Sequence, residues 1–243
     1  VTGVQTCALP ISMTTTDSSR KTLYLIDGSA YIYRAFFALP ALNNSKGLQT
    51  NAVYGFMTTL LKILRERKPD GIVVAFDERG PTLRQQEFKD YKAQRPPMPD
   101  GMSAQIPYIH RAVEALNITA VKQAGYEADD LIGTLAKQAE RAGDDVVIVT
   151  GDKDMLQLVT PHIRIYDPVK DKWSGEAECV EKFGVEPARV IEIMGLMGDA
   201  SDNIPGVKGI GEKTAIKLIA QFGDRKSTRL NSSHIPLSRM PSS

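Results

Sequence analysis

The chain is poor in the residues that build most metal and redox centres. Its 243 residues include two cysteines, Cys7 and Cys179, and three histidines. Two thiols supply neither a disulfide framework nor a four-cysteine zinc site, and three imidazoles leave little for a His-based centre. Any metal chemistry therefore has to run on carboxylates. No apolar run approaches the roughly 20 residues of a membrane-spanning helix, which argues against an integral membrane protein. Neither charge sign is in excess, with 30 Lys and Arg against 29 Asp and Glu. What remains is an ordinary globular balance, 42% hydrophobic and 24% charged, with length for one large or two small domains.

The two ends differ from the middle. Residues 1–12 (VTGVQTCALPIS) carry no charge, and residues 225–243 (RKSTRLNSSHIPLSRMPSS) carry four basic residues and no acid. Neither has a sustained helix or strand period. The first lacks the basic start and long apolar stretch of a signal peptide. Both resemble translated sequencing-adapter read-through. On that reading the native chain starts at Met13 and is cut near Asp224, and the ends are set aside. Removing the four basic residues of 225–243 leaves 26 cations against 29 acids, a net −3 for residues 13–224. Overall charge therefore gives no reason to expect nucleic-acid binding; cations must be locally arranged to do it.

The middle predicts an α/β fold. LYLI (Leu23–Ile26), IVVAF (Ile72–Phe76) and VVIVT (Val146–Thr150) are short β-rich runs without alternation, as in buried parallel strands. IRIY (Ile163–Tyr166) adds a fourth. Amphipathic stretches over Ala52–Leu64, Met102–Leu116 and Asp129–Ala142 predict helices between them, the last stopped by Gly143. Strand–helix alternation implies a mostly parallel sheet flanked by helices. From about Gly175 the pattern is helical.

Carboxylates sit where these strands end. Asp27 follows LYLI, Asp77 follows IVVAF, and Asp152 and Asp154 follow VVIVTG. One acid after one strand is an ordinary turn or cap. Acids after three strands share the rim where open parallel sheets bind ligands, and their mutual repulsion calls for cations. YEADDLIGTLA adds Glu127, Asp129 and Asp130 at a helix start, where one of the three serves only to cap it. GLMGDASDNIPG adds Asp199 and Asp202 in a turn bounded by Gly and Pro. Nine hard oxygen donors without His or Cys select Mg²⁺ or Mn²⁺ over zinc. Two such ions about 4 Å apart suit phosphodiester hydrolysis.

Cations accompany the acids. Lys92 and Arg95 share a face if YKAQRPPMP is helical, Arg84 lies upstream, and Arg34 follows Asp27 beside a cluster of rings from which Tyr33 is a candidate to stack on a base. GVKGIGEKTA offers Gly206, Gly209 and Gly211 for close backbone approach, Lys208 and Lys213 for charge, and a following helix whose free N–H groups face an anion. It predicts a helix-hairpin-helix element that grips a nucleic-acid backbone without reading sequence.

LIDGSAYIYRAFFA, VVAFDERGPTLRQQEFKDYKAQRPPMP, YEADDLIGTLA, VTGDKDMLQLV and GLMGDASDNIPGVKGIGEKTA, in this order, resemble the 5′-nuclease (flap endonuclease) family. Within it the nearest likeness is to the 5′→3′ exonuclease domains joined to bacterial DNA polymerase I. The likeness covers about residues 22–223. It implies a PIN-like α/β catalytic domain over 13–185 and a helix-hairpin-helix subdomain over 186–224. It implies Mg²⁺-dependent hydrolysis of DNA at 5′ ends, nicks and flaps, including RNA/DNA primers, by a monomer in the bacterial cytoplasm, with a polymerase module following in the full-length protein. One metal cluster would fall on Asp27, Asp77, Glu127, Asp129 and Asp130, and a second on Asp152, Asp154, Asp199 and Asp202. Lys92 and Arg95 would contact phosphate, with Arg34 also in the catalytic site, and about Arg84–Asp100 would form a helical arch or gateway. Four other readings differ in what they need. A stand-alone 5′ nuclease would differ only in having no polymerase joined to it. A branched-DNA binder that does not cut would need a damaged acid set. A phosphatase with an Asp nucleophile would not need the hairpin. A PIN-like RNA nuclease would lack GVKGIG.

Overall fold

A computed structural model describes residues 20–222. The readings made of residues 1–12 and 225–243 lie outside the described residues. The chain runs β1 (Thr22–Asp27), α1 (Gly28–Ala38), α2 (Asn51–Arg67), β2 (Gly71–Ala75), α3 (Leu83–Glu87), α4 (Asp100–Ser103), α5 (Ile106–Ala115), β3 (Thr119–Val121), α6 (Ala128–Ala142) and β4 (Asp145–Val149). A 3₁₀ turn over Asp154–Leu158 leads to β5 (Ile163–Asp167), β6 (Lys172–Ser174) and α7 (Glu176–Phe183). After a 3₁₀ turn at Pro187–Arg189 come α8 (Val190–Met197), β7 (Gly198–Asp199), β8 (Ile204–Pro205) and α9 (Glu212–Phe222).

Six strands form one sheet in the order β3-β2-β1-β4-β5-β6. Every pairing is parallel except β5 with β6. The order reverses direction at β1, with β2 on one side and β4 on the other, so a crevice opens at their carboxyl ends. Alternation along β1 divides the interior. Leu25 faces a core with α6, α7, α8 and α9, through residues such as Ile132, Phe183, Ile193 and Ile219. Tyr24 and Ile26 face the opposite core with α1, α2 and α5, through Tyr31, Phe56, Leu60 and Ile109.

Each expected strand is present, within a residue or two. Gly143 ends α6 with φ 96, the left-handed turn expected of a C-terminal glycine. Three expectations need correction. The helix expected over Met102–Leu116 is broken: α4 stops at Ser103, and Gln105 turns inward to accept from the Ala52 amide at 2.9 Å before α5 begins. The stretch holding Lys92 and Arg95 is not helical; Lys92 has φ 55, and consecutive turns replace the helix. The arch expected over Arg84–Asp100 is, among the described residues, one short helix followed by a strap lying on the rim. β3, β6 and the β7–β8 ribbon are additions to the expected strands.

Candidate active site

The rim is built by strand ends and by the start of α6. Asp27, 5% exposed, ends β1 and caps α1 by accepting from the Ala30 amide at 2.9 Å; Thr150, just past β4, donates to its other oxygen at 3.3 Å. Asp77, two residues past β2, accepts from the Ala128 amide at 2.8 Å. That bond ties the first turn of α6 to the end of β2. Asp130 accepts from the Glu127 amide at 3.0 Å, so it is the capping acid of the trio. Asp152 accepts from the Asp154 amide at 2.9 Å. Asp199 accepts from the Ser201 amide at 2.7 Å, an Asx turn in the loop joining β7 to β8.

The cations lie on these acids. Arg84 donates to Asp130 at 2.8 Å and to Glu127 at 3.2 Å. Lys92 donates to Glu127 at 2.8 Å and stands 3.7 Å from Asp202, which Arg95 also grips at 2.5 Å. Lys92 and Arg95 thus converge from a turn rather than from one helix face. The strap is fastened by main chain too: the Lys92 amide donates to the Asp202 carbonyl at 2.9 Å, and Asn203 donates to the Asp90 carbonyl at 2.8 Å. Arg34 is turned to Asp167, which it meets at 3.0 Å beneath Gly151, where no Cβ crowds it. Tyr33 stands half-exposed beside Phe37, their centroids 6.4 Å apart.

Charge crowding leaves its mark on the carboxyls. Burial, joined by Asp27, Asp152 and Asp77, pushes the Asp129 pKa up to about 8. Burial, with Asp77 and Asp152 adding, lifts Asp27 to about 6. Burial and then Asp152 lift Asp154 to about 6, and its buried Oδ1 has no hydrogen-bond partner. Asp130 goes the other way: burial opposes its ionisation, but the Arg84 bonds and the Glu127 amide outweigh that and hold it below the ordinary value. The donor set is all oxygen, mutually repelling, and includes one orphaned buried atom, which fits hard divalent cations. Among the described residues no three acidic, His or Cys side chains form a ready-made cage. Ions that keep several waters match such spacing.

The hairpin glycines are not equivalent. A Cβ on Gly206 would press into the Met197 carbonyl, so this glycine serves contact within the fold; Gly209 (φ 82) and Gly211 face open space. Lys208 and Lys213 are exposed nearby. Three supporting residues are not evident from sequence motifs alone. Tyr91 is buried, and its hydroxyl lies 2.9 Å from Glu127 and 3.1 Å from Asp202, so its one proton is shared between the two acid groups. Asp167 ends β5 just as Asp27 ends β1, a signal present in the sequence. Ser29 accepts from the Asp77 amide at 2.8 Å, and nothing local announces it.

A mostly parallel open sheet with acids on its carboxyl rim, and a helical element beside it, defines the class: an α/β protein with an acidic crevice suited to divalent cations. Residues 22–184 match the 5′-3′ exonuclease N-terminal resolvase-like domain, and residues 185–238 match the 5′-3′ exonuclease C-terminal SAM fold. The chain belongs to the 5′-3′ exonuclease family, whose members are phosphodiester-hydrolysing enzymes. It is 48% identical over 209 residues to DNA polymerase I of Bacillus caldotenax, covering 84% of this chain and 24% of the polymerase. It is 42% identical over 203 residues to a 5′-3′ exonuclease of Aquifex aeolicus, covering 84% of this chain and 70% of that protein. The chain spans about a quarter of the length of the polymerase relatives. Its fold is shared with the D15 flap endonuclease of bacteriophage T5, solved as a pseudo-enzyme–product complex with DNA and metal ions (TM-score 0.71, 23% identity, 91% of this chain and 81% of that one). Among the described residues no helix is long and apolar enough to cross a membrane.

Proposed function

We propose that this chain hydrolyses DNA phosphodiesters at 5′ ends, nicks and flaps, using two or more Mg²⁺ or Mn²⁺ ions. The observation that carries this is the convergence of Asp27, Asp77, Asp129 and Asp152 on one rim, where burial and their repulsion lift Asp129 to about 8. Asp27, Asp77, Glu127, Asp129 and Asp130 would hold one ion, and Asp152, Asp154, Asp199 and Asp202 another. When bound, such ions supply an activated water and charge relief at the leaving oxygen. Lys92, Arg84 and Arg95 already reach the rim and donate to phosphate oxygens once these replace the carboxylates as acceptors. Arg34 holds Asp167 and the β4 exit, a positioning role. Tyr33, half-exposed and close enough to Asp77 to feel its charge, is placed to stack on a terminal base. The catalytic part is 13–185; the α8–α9 part, 186–224, holds duplex through the open backbone at Gly209 and Gly211, with Lys208 and Lys213. The identity to DNA polymerase I supports primer removal in replication and repair beside a polymerase, with a cytoplasmic setting.

The test is release of a short 5′-labelled product from a flapped duplex. Mg²⁺ should permit it and EDTA should stop it. Asp152→Ala should lower turnover by roughly 10²–10³-fold, as losses of charge-stabilising groups do, while DNA binding persists. Normal turnover by this variant, or cleavage in EDTA, would overturn the metal assignment.

A further inference from the structure

A second charged feature lies on the other side of Asp152. Between the β4 exit, the β5–β6 turn and α7 is a cleft of about 380 Å³ whose lining includes Lys153, Lys170, Lys172 and Lys182. These lysines come from three separate elements. None of them is ion-paired among the described residues, unlike Lys92, Lys122 and Lys137. Four acids share the lining; Asp152 belongs to the carboxylate rim, and two others are already engaged. Asp167 is held by Arg34 at 3.0 Å, and Glu178 accepts from the Gly175 amide at 2.7 Å. Glu181 also lines the cleft. The lysines feel one another: burial, and then the Lys153 charge, hold the Lys182 amine below its ordinary range against the opposing pull of Glu212 and Asp154, with Lys170 adding a smaller effect. Like charges gathered at a cleft and left without partners lower their energy by taking up an anion. The floor of the cleft is Thr150–Gly151–Asp152, continuous with the carboxylate rim.

We propose that this cleft is a nucleic-acid phosphate site, separate from the Arg84–Arg95 strap and from the 206–213 hairpin. It takes a phosphate of the strand that crosses the rim at Asp152. The inference rests on the nuclease reading above. The same chemistry has two sources, a backbone diester of bound DNA or the terminal phosphate of a released 5′-nucleotide.

The experiment uses the full chain with Ca²⁺, and compares wild type with Lys170→Gln/Lys182→Gln and with Lys208→Gln. Matched melting temperatures establish that each variant is folded. Nicked-duplex affinity is measured across a salt series, and the mononucleotide response is the heat of binding deoxyadenosine 5′-monophosphate in isothermal titration calorimetry. The double variant should bind nicked duplex about tenfold more weakly. Its log K against log[salt] slope should be shallower by roughly 0.9 for each phosphate that the variant no longer neutralises. A mononucleotide response in wild type that vanishes in the double variant assigns the site to the terminal phosphate. Its absence, with the duplex effect retained, assigns the backbone. Unchanged duplex affinity, unchanged slope and no mononucleotide response overturn the site. If wild type fails to bind nicked duplex while the mononucleotide response persists, the nuclease reading falls and the phosphate site stands.

Discussion

At the scale of single residues, the rim stores repulsion that a cation relieves. Asp129 is the extreme, at about 8, with Asp27 and Asp154 at about 6, against an ordinary 3.8. Between the ordinary and the raised values the folded chain keeps protons that the unfolded chain has lost. The folded state is therefore favoured at the acid end of that window, and the contribution disappears as pH rises through about 6 and then about 8. Chelated protein should melt at a lower temperature at about pH 8.5 than at about pH 6, through this group of acids. Millimolar Mg²⁺ should flatten the difference by binding the folded state. Asp129→Asn should raise the melting temperature of chelated protein at the alkaline end and remove part of the pH slope. A melting temperature that rises with pH across this window in EDTA, or a variant no more stable than wild type at its alkaline end, would mean the acids are already compensated by the strap cations.

At the scale of elements, what is legible in the sequence depends on how much of each element is decided locally. β1, β2 and β4 are buried on both faces, so their apolar runs stand out; Gly143 marks the end of α6 by its chemistry. β6 is three residues with an exposed lysine, and β7 and β8 are two residues each, too short to show a period. None of them can be read without the partners that pair with them. The strap is the more instructive case. Lys92 and Arg95 do lie close to the acids, as their place after the Asp77 strand suggests, yet the helix invoked to align them is absent. Partners 35 and 107 residues away along the chain, Glu127 and Asp202, fix their positions instead. Asp167 repeats the strand-then-acid pattern of Asp27, but with no other motif residue beside it such an acid looks like an ordinary turn or cap. The hairpin shows how a motif conceals a division of labour. Gly206→Ala forces a Cβ against the Met197 carbonyl and the Gly198 amide, both main chain, and should cost about 1–3 kcal/mol. Gly211→Ala meets open space and should leave the melting temperature nearly unchanged while weakening duplex binding. Equal thermal effects of the two substitutions would show that the close contact at Gly206 relaxes freely.

At the scale of the whole molecule, the grip and the chemistry share one interior. Ile219 and Ala215 of α9 and Ile193 and Leu196 of α8 are buried in the same cluster as Ile132 of α6 and Ile148 of β4, and the Arg189 guanidinium ties to the Ile219 carbonyl at 2.9 Å. Ala215 and Ile219 of α9 are thus covered, while Ile216, Leu218 and Phe222 stay partly exposed. This packing matters for function because α8 leads directly into Asp199, and the β7–β8 turn carries Asp202. A loosened helical element would displace two rim acids and the anchors of the strap. Ile219→Ala leaves a cavity at a fully buried position, and such truncations cost about 2–5 kcal/mol. Ile109→Ala, on the buried face of α5, does the same on the opposite face of the sheet. If the chain unfolds as one cooperative unit, both variants should lower the midpoint of the same single calorimetric transition, with calorimetric and van't Hoff enthalpies agreeing. Ile219→Ala should also weaken divalent-cation binding, followed by isothermal titration well below its melting temperature, because its damage reaches Asp199 and Asp202 through α8. Ile109→Ala, which packs in the opposite core, should leave cation affinity intact. Two separable transitions in wild type, with Ile219→Ala moving only one of them, would instead make the helical element an autonomous unit, and the rim acids it carries would then depend on docking rather than on a shared core.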